Sequence, residues 1–189
     1  MNATRTTTIT AGIAGIAATG IAAALSYARA TRPPVITARV PEPAKPVELQ
    51  RYTGRWYEIA RHENRFERGM EAVTADYSLL GPDRIEVVNG GRKPGTGARS
   101  AKVARGKVVD AATNAKLKLS FFGPFYVGDY WVLDHDDAYT WSIIGEPSGR
   151  YLWILARRPH LPADEVEALL TRVATLGYDR HRLRMTRQD

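Results

Sequence analysis

Cysteine is absent from the 189 residues of this chain. Its absence excludes disulfide bonds, a cysteine nucleophile and cysteine-based zinc or iron–sulfur sites. The fold must therefore be held by its apolar core, and a chain of this length can bury a sufficient core without cross-links.

Signatures of common catalytic and metal sites are also missing. The four histidines, His62, His135, His160 and His181, form no pair with metal-ligand spacing. The acidic turn at residues 134–137 lacks the spacing of an EF-hand calcium loop. The sequence has no Gly-x-Ser-x-Gly elbow and no glycine-rich phosphate loop. We therefore predict no catalytic residue, no metal and no cofactor.

Positive charge exceeds negative charge, and the formal net charge is +7. The basic residues are scattered, and the densest cluster is Arg180-His181-Arg182-Leu183-Arg184. A diffuse distribution is not the electrostatic footprint of a nucleic-acid-binding protein, so we predict no nucleic-acid partner. A basic balance also suits an anionic membrane surface, or it serves solubility alone.

Residues 1–30 have the composition of a targeting segment. Residues 8–28 are almost all Ile, Ala, Gly and Thr, and Arg5 precedes them. A stretch of about 20 apolar residues just crosses a hydrocarbon core. Ala28-Arg29-Ala30 is similar to a signal-peptidase site. Two interpretations remain, a signal peptide cut after Ala30 or a retained N-terminal membrane anchor, and both predict export.

A proline-rich linker at residues 31–46 precedes the domain, which we place at 47–189. From Gly54 onward, short alternating segments are separated by turn signals. They predict strands at 54–62, 71–80, 84–90, 99–110, 115–122, 127–134, 138–145 and 150–157. Eight short strands joined by hairpins predict an up-and-down barrel or a sandwich, and the pattern alone does not choose between them.

After the last of these strands the hydrophobic period changes. Apolar residues recur at helical spacing between positions 162 and 176. Pro162 suits a first turn and Gly177 suits a C-terminal stop. We predict one amphipathic helix, whose apolar stripe needs a partner surface, and a short final strand near 183–186.

One stretch, Gly54-Arg55-Trp56-Tyr57, begins the first predicted strand. Gly54 lets the backbone enter the strand at a sharp angle, and Trp56 requires burial with its indole N–H bonded. The stretch resembles the Gly-x-Trp motif of the lipocalin family. Four later stretches resemble its bacterial, apolipoprotein D-like branch, namely 65–69, 75–79, 120–126 and 151–157.

The resemblance implies an all-β fold, an eight-stranded up-and-down antiparallel β-barrel with one C-terminal α-helix packed outside. It implies a non-enzymatic protein of the periplasm or cell envelope that stores or transports fatty acids, lysophospholipids or similar small hydrophobic molecules. We expect a monomer or weak homodimer, with a membrane surface as a second candidate partner. The bacterial branch is often anchored through a lipidated N-terminal cysteine. Without cysteine, we expect any anchor to be residues 8–28.

The parities known for the family predict which side chains line the barrel. They are Ala75, Tyr77, Val87, Asn89, Leu117, Leu119, Phe121, Tyr130, Val132, Tyr151, Trp153 and Leu155. This apolar and aromatic lining fits an acyl chain or another slender hydrophobic molecule. The alternative is that the aromatic side chains simply fill a small core. The inward parity of strand 138–145 stays open.

The resemblance also implies a closed end and an open end. At the closed end, Arg157 is expected to stack over the indole of Trp56 in a structural role. At the open end, Arg61, Arg65 and Arg68 are candidates for binding an anionic head group. For Arg65 and Arg68, the alternative is pairing with Glu63, Glu67 or Glu71 within the loop. A second loop at the open end, 121–126, carries aromatic side chains suited to touching a bilayer or to packing the loop down.

Strict alternation in the first strand places Trp56, Glu58 and Ala60 on one face, and Arg61 on the other. A carboxyl group facing an apolar barrel would have a raised pKa. Glu58 is therefore the one candidate acid or base for an alternative function, an enzyme on a lipocalin scaffold. Structural pairing of Glu58 with a tyrosine or arginine is the interpretation that we favour.

Overall fold

A computed structural model describes residues 32–188. These residues form a closed antiparallel up-and-down barrel of eight strands with one extra strand and an external helix, which confirms the predicted fold. The strands are β1 (Gly54–His62), β2 (Glu71–Gly81), β3 (Arg84–Arg92), β4 (Arg99–Val108), β5 (Lys116–Ser120), β6 (Gly128–His135), β7 (Trp141–Gly145), β8 (Leu152–Ala156) and β9 (Leu183–Met185). The helices are α1 (Leu49–Tyr52), α2 (Ala163–Thr175) and a 3-10 turn (Arg180–Arg182).

Successive hairpins run around the barrel from β2 to β8, and β8 pairs with β1. The ring closes where Gly54–Tyr57 of β1 pairs with Thr74–Tyr77 of β2. Farther along, β9 pairs with β1 at Ala60–His62, and the N–H of Ala72 on β2 donates to the carbonyl of Arg187. The C-terminal strand therefore fills the gap where β1 and β2 separate.

Helix α2 packs on the outside of the barrel, as predicted. Its buried residues Leu169 and Val173 belong to an outer apolar layer. The barrel contributes outward-facing side chains from several strands to that layer, among them Leu133, Ile143, Leu152 and Ile154. Two apolar layers thus share the sheet, one outside under the helix and one inside the barrel.

The proline-rich segment before α1 lies against the barrel. The N–H of Ile36 donates to the carbonyl of Gly149 at 2.8 Å, and that of Ala44 donates to the carbonyl of Leu133 at 2.9 Å. Ile36 itself is buried in the outer apolar layer. Within residues 32–188, no helix is long and apolar enough to span a membrane. The predicted targeting segment, 1–30, lies outside the described residues.

The strict alternation predicted for the first strand is wrong beyond Glu58. Glu58 lies opposite Leu155, but Ala60 rather than Ile59 lies opposite Ile154, so β1 carries a bulge. The extra residue moves Ala60 to the outer layer and turns Arg61 toward the barrel interior, opposite Trp153. Glu58 and Arg61 consequently share the inner face.

The open parity of the strand at 138–145 is settled by its neighbours. Ile144 belongs to the inner apolar cluster, and the hydroxyl of Ser142 contacts the buried hydroxyl of Tyr52. Ile143 belongs to the outer layer, and Trp141 packs against it. Ser142 and Ile144 therefore point inward.

Candidate ligand-binding site

The closed end of the barrel is sealed by Trp56. This side chain is fully buried, and its indole N–H donates to the carbonyl of Tyr52 at 2.9 Å. The guanidinium of Arg157 lies 3.8 Å from the ring centroid of Trp56. The same guanidinium donates to the carbonyls of Arg51, Arg55 and Tyr139. Arg157 thus joins α1, the start of β1 and the loop before β7, and it plays a structural role.

Beside Trp56 lies a network of buried hydroxyl groups, which we call the tyrosine floor: Tyr52, Tyr77, Tyr130 and Ser142. The hydroxyl oxygens of Tyr77 and Tyr130 are 2.8 Å apart, and that of Tyr52 lies 3.1 Å from Tyr130 and 3.0 Å from Ser142. Burial raises the pKa of Tyr52 to about 12, so the hydroxyl stays neutral at ordinary pH. Each hydroxyl is bonded within the network, so none of the four is left without a partner.

Most of the predicted lining residues come together in one inner cluster, and Asn89, Phe121 and Tyr151 lie outside it. Beyond Tyr77, Ile85 and Val108, toward the open end, the walls of the cluster differ in side-chain size. The side formed by β2, β3 and β4 carries Ala75, Val87 and Ala104, whereas β5 and β8 contribute Leu117 and Leu155. Val132 belongs to the same cluster.

Exposure increases along the inner face of β5 toward the open end. Leu117 is 2% exposed, Leu119 is half-buried, and Phe121 is 45% exposed. Asn89 and Trp153 are likewise half-buried. Phe121 lies beyond the end of its strand, where the hydroxyl of Ser120 donates to the carbonyl of Gly123. Phe121 therefore belongs to the rim of the barrel rather than to its wall.

Arg61 is not exposed at the rim, contrary to the expectation from its place before the first loop. Its side chain is fully buried because the bulge in β1 turns it inward. Its guanidinium donates to the Glu58 carboxylate at 2.6 Å and to the carbonyl of Glu67 at 2.6 Å. Thr186, just after β9, also donates to Glu58. Arg61 therefore ties the C-terminal strand to the loop at the open end.

Glu58 is the buried acid of this cluster. Burial, together with the nearby charge of Glu67, raises the pKa of Glu58 to about 7. Arg61 and Thr186 act in the opposite direction by stabilising the carboxylate. The side chain is paired with an arginine, as the interpretation that we favour predicts.

The loop between β1 and β2, residues 63–70, folds over one side of the open end. The carboxylate of Glu67 accepts the indole N–H of Trp153 at 2.9 Å. Phe66 stacks on Tyr151 with ring centroids 6.3 Å apart, and Tyr151 stacks on Trp153 at 5.8 Å. The loop is therefore attached to the inner face of β8 by a hydrogen bond and by ring stacking.

Two of the predicted head-group arginines, Arg65 and Arg68, remain exposed on this loop. The guanidinium of Arg65 lies 4.8 Å from the ring centroid of Phe66. Glu63 forms ion pairs with Arg61 and Arg184, and Glu71 forms one with Arg187. The carboxylate of Glu67 accepts hydrogen bonds from Asn64 and Trp153.

Lys102 is a candidate that the sequence analysis missed. The register of β3 and β4 pairs Asn89 with Lys102, and Val87 with Ala104. Since Val87 and Ala104 belong to the inner cluster, Lys102 shares the inner face, nearer the open end, where it is exposed. Counting by twos from Ala104 would have found it, but a lysine in a strand is ordinarily assigned to the solvent face.

The second loop at the open end is apolar and exposed. Phe122 is 84% exposed, Phe125 71% and Val127 79%. The sequence left two interpretations of this loop, contact with a bilayer or packing of its aromatic side chains against the protein. Phe122 and Phe125 are not packed against the protein.

The acidic turn at 134–137 has structural partners. Asp134 pairs with Arg172 of α2, Asp137 pairs with Lys45 at 2.8 Å, and Asp136 accepts the N–H of Thr140. Among residues 32–188, no group of three or more His, Asp or Glu side chains is arranged to hold a metal ion.

Together, these features define a closed β-barrel protein whose apolar interior is sealed by Trp56 at one end and whose inner face becomes more exposed toward the other. The model of the lipocalin-like domain family matches residues 47–188. The outer membrane lipoprotein Blc of Escherichia coli (strain K12) is 44% identical over 133 residues, which span 70% of this chain and 74% of that protein. The temperature-induced lipocalin-1 of Arabidopsis thaliana is 36% identical over 78% of this chain and 83% of its own length.

The chain belongs to the lipocalin family, in the branch that contains Blc and apolipoprotein D. Mouse apolipoprotein D is 29% identical over 77% of this chain and 82% of its own length. Among solved structures, the cockroach allergen Per a 4 superposes with a TM-score of 0.61 at 17% identity, covering 82% of this chain and 96% of that chain. That likeness concerns the fold alone. Lipocalins bind small hydrophobic ligands.

Proposed function

We propose that this lipocalin binds fatty acids, lysophospholipids or similar single-tailed lipids inside the barrel and stores or transports them in the cell envelope. The observation that supports the proposal is that side-chain exposure and polarity increase along the inner face toward the open end. The inner face is neutral at the tyrosine floor, apolar at Leu117 and Leu155, and polar and partly exposed at Asn89 and Lys102.

The apolar part of the lining would hold the tail. Each methylene removed from water contributes about 0.8 kcal/mol, so an acyl chain of ordinary length reaches micromolar affinity after the costs of association. The small side chains Ala75 and Ala104 leave the β2–β4 wall as the side on which the tail would lie. Tyr77 and Tyr130 would meet the end of the tail at the floor.

The head group would lie at the rim. Lys102 supplies a cation and Asn89 an amide on the same inner face, which suits a carboxylate or phosphate oxygen. Arg65 and Arg68, on the loop that borders the rim, are further candidates. Arg61 is not among them, since its guanidinium is buried against Glu58.

A fluorescent fatty acid tests the proposal when it is titrated into two matched variants. Ala104→Phe adds a ring on the inner face of β4, whereas Ala101→Phe adds the same ring on the exposed outer face. We expect Ala104→Phe to abolish binding and Ala101→Phe to retain it. Equal binding by both variants, or no binding by the unmodified protein, would refute a ligand inside the barrel.

The role of Lys102 has its own test. Lys102→Gln should weaken binding of a fatty acid by about two- to fivefold, the worth of an exposed charge pair. Binding of the fatty alcohol of the same chain length should not change, because it carries no charge. A loss of affinity for both ligands would show that Lys102 acts on the barrel rather than on the head group.

Export and contact with a membrane belong to the same proposal. The relatives' name, outer membrane lipoprotein Blc, supports the envelope as the location. Mass spectrometry of the mature N-terminus separates a cleaved signal peptide from an anchor retained through residues 8–28.

The exposed Phe122 and Phe125 would touch the bilayer surface during loading. Ser in place of Phe122 and Phe125 should reduce co-sedimentation with phosphatidylcholine vesicles, and unchanged sedimentation would exclude this contact.

A further inference from the structure

A cleft of about 740 Å³ opens outside the barrel lumen, between the turn at 93–98, the loop at 63–70 and the C-terminal strand. We call it the rim cleft. Its charged lining residues are Arg92, Lys93, Arg184, Arg187 and Glu71. Four cations thus face one carboxylate in a single concave surface.

Two of the four cations have acidic partners already. Arg184 contacts Glu63 at 2.7 Å, and Arg187 contacts Glu71 at 3.0 Å. Arg92 and Lys93 have no ion-pair partner among residues 32–188, although Arg92 is half-buried at the end of β3. A partly desolvated guanidinium without a counter-charge is poised to bind an anion from solution.

The shape of the cleft depends on a close approach of two loops. Gly69 has a φ of +69°, and a Cβ built on it would lie 3.2 Å from the Pro94 ring. A larger residue would crowd Pro94 and would also be strained at this positive φ. Gly69 therefore brings the two loops together at the wall of the cleft.

We propose that the rim cleft binds a phosphate group through Arg92, Lys93, Arg184 and Arg187. A tetrahedral phosphate carries more acceptor oxygens and more negative charge than a carboxylate, so it can bind several of these cations at once. The cleft lies at the open end of the barrel, where Phe122 and Phe125 are also exposed. The phosphate therefore has two possible sources, a lipid head group in a bilayer or a free phosphate compound. The site does not depend on a ligand in the lumen.

A matched pair of double variants tests the site. Arg92→Gln with Lys93→Gln removes the two unpaired cations. Arg84→Gln with Lys107→Gln removes two cations from the other end of the β3–β4 hairpin, where these residues are register partners. Both variants lose the same net charge, so any difference between them belongs to the cleft.

Inorganic phosphate is the first probe, added at constant ionic strength and followed through the backbone amide signals of Gly95 and Gly97. We expect saturable shifts in the unmodified protein and in the Arg84/Lys107 variant, and none in the Arg92/Lys93 variant. Vesicles of phosphatidylcholine, with and without phosphatidic acid, are the second probe. Removing two cations should weaken binding to the anionic vesicles about tenfold or more.

Each outcome decides the question. Cleft-dependent binding of vesicles identifies a lipid phosphate as the source, and cleft-dependent binding of inorganic phosphate alone identifies a free one. Equal losses in the two double variants would reduce the effect to net charge and overturn the site. Absence of both kinds of binding would overturn it as well. Retained binding of the fluorescent fatty acid by the Arg92/Lys93 variant shows that its barrel is folded.

Discussion

The two ends of the barrel bury polar groups in different ways. At the closed end, they are neutral hydroxyls in the tyrosine floor and carbonyl groups bonded to Arg157. At the open end, they are the charged groups of Glu58, Arg61 and Glu67. A neutral network has no charge to lose with pH, whereas an ionic one titrates. We infer that the closed end carries stability and the open end carries binding and its dependence on conditions.

Two tryptophans give the largest expected contrast between the ends. Trp56→Ala empties the sealed end and removes the ring under Arg157, and we expect a loss of about 3–5 kcal/mol in the free energy of unfolding. Trp153→Ala removes a half-buried ring near the open end and should cost about 1–2 kcal/mol. Urea denaturation measures both values.

For ligand affinity, we expect Trp153→Ala to have the larger effect of the two substitutions. Trp153→Ala should lower the affinity for a fluorescent fatty acid, because this ring faces the upper lumen and holds Glu67. If Trp153→Ala destabilised the protein as much as Trp56→Ala, the two ends would not differ in the way inferred.

The charged network at the open end makes stability depend on pH through Glu58. Its ordinary pKa of 4.5 holds in the unfolded chain, and its pKa rises to about 7 in the folded protein. Between these values the folded state keeps a proton that the unfolded chain has lost, so rising pH favours unfolding. The stabilisation present below pH 4.5 is lost as the pH reaches about 7, by up to ~3 kcal/mol.

Glu58→Gln should remove this dependence. The free energy of unfolding of the unmodified protein, minus that of the variant, should fall as the pH rises through the window. Urea denaturation at a series of pH values measures this difference, and Glu48→Gln, at an exposed site, controls for the loss of one carboxyl group. A difference that stays constant or rises with pH would contradict the account.

The neutral network at the closed end should respond to the loss of one hydroxyl. Tyr130→Phe removes the group that both Tyr52 and Tyr77 contact, and we expect destabilisation of about 1–3 kcal/mol without pH dependence below neutrality. Tyr126→Phe, in the exposed loop at the open end, should change stability by less than about 0.5 kcal/mol. Equal effects of the two variants would mean that the tyrosine floor contributes no special stability.

The closed end was largely predictable, because it depends on features that are local in sequence. Gly54 and the turn signals fix where strands begin, and alternation then fixes which side chains face inward. Ala75, Tyr77, Leu117 and Leu155 accordingly fall in the inner cluster that the family parities predicted. The resemblance was still needed to choose a barrel over a sandwich.

The open end was less predictable, because it depends on contacts between distant segments. A bulge after Glu58 leaves no mark in a sequence read with period two, so Arg61 was assigned to the wrong face. Thr186, which binds Glu58, follows it by 128 positions. Lys102 was missed because solvent near an open rim tolerates a charge on the inner face, and hydrophobicity patterns do not report distance from a rim.

Removing a hydroxyl that has no hydrogen-bond partner should give the smallest effect on stability, and this effect should be a gain rather than a loss. Tyr178 is buried in the outer layer under α2, and its hydroxyl has no hydrogen-bond partner among residues 32–188. Removing an unsatisfied polar group relieves a desolvation cost, so Tyr178→Phe should stabilise the protein by up to ~1 kcal/mol. Thermal unfolding of Tyr178→Phe and Tyr130→Phe under the same conditions measures the expected gain and the expected loss of stability. A destabilised Tyr178→Phe variant would show that a bound water satisfies this hydroxyl, and the outer layer would then resemble the tyrosine floor.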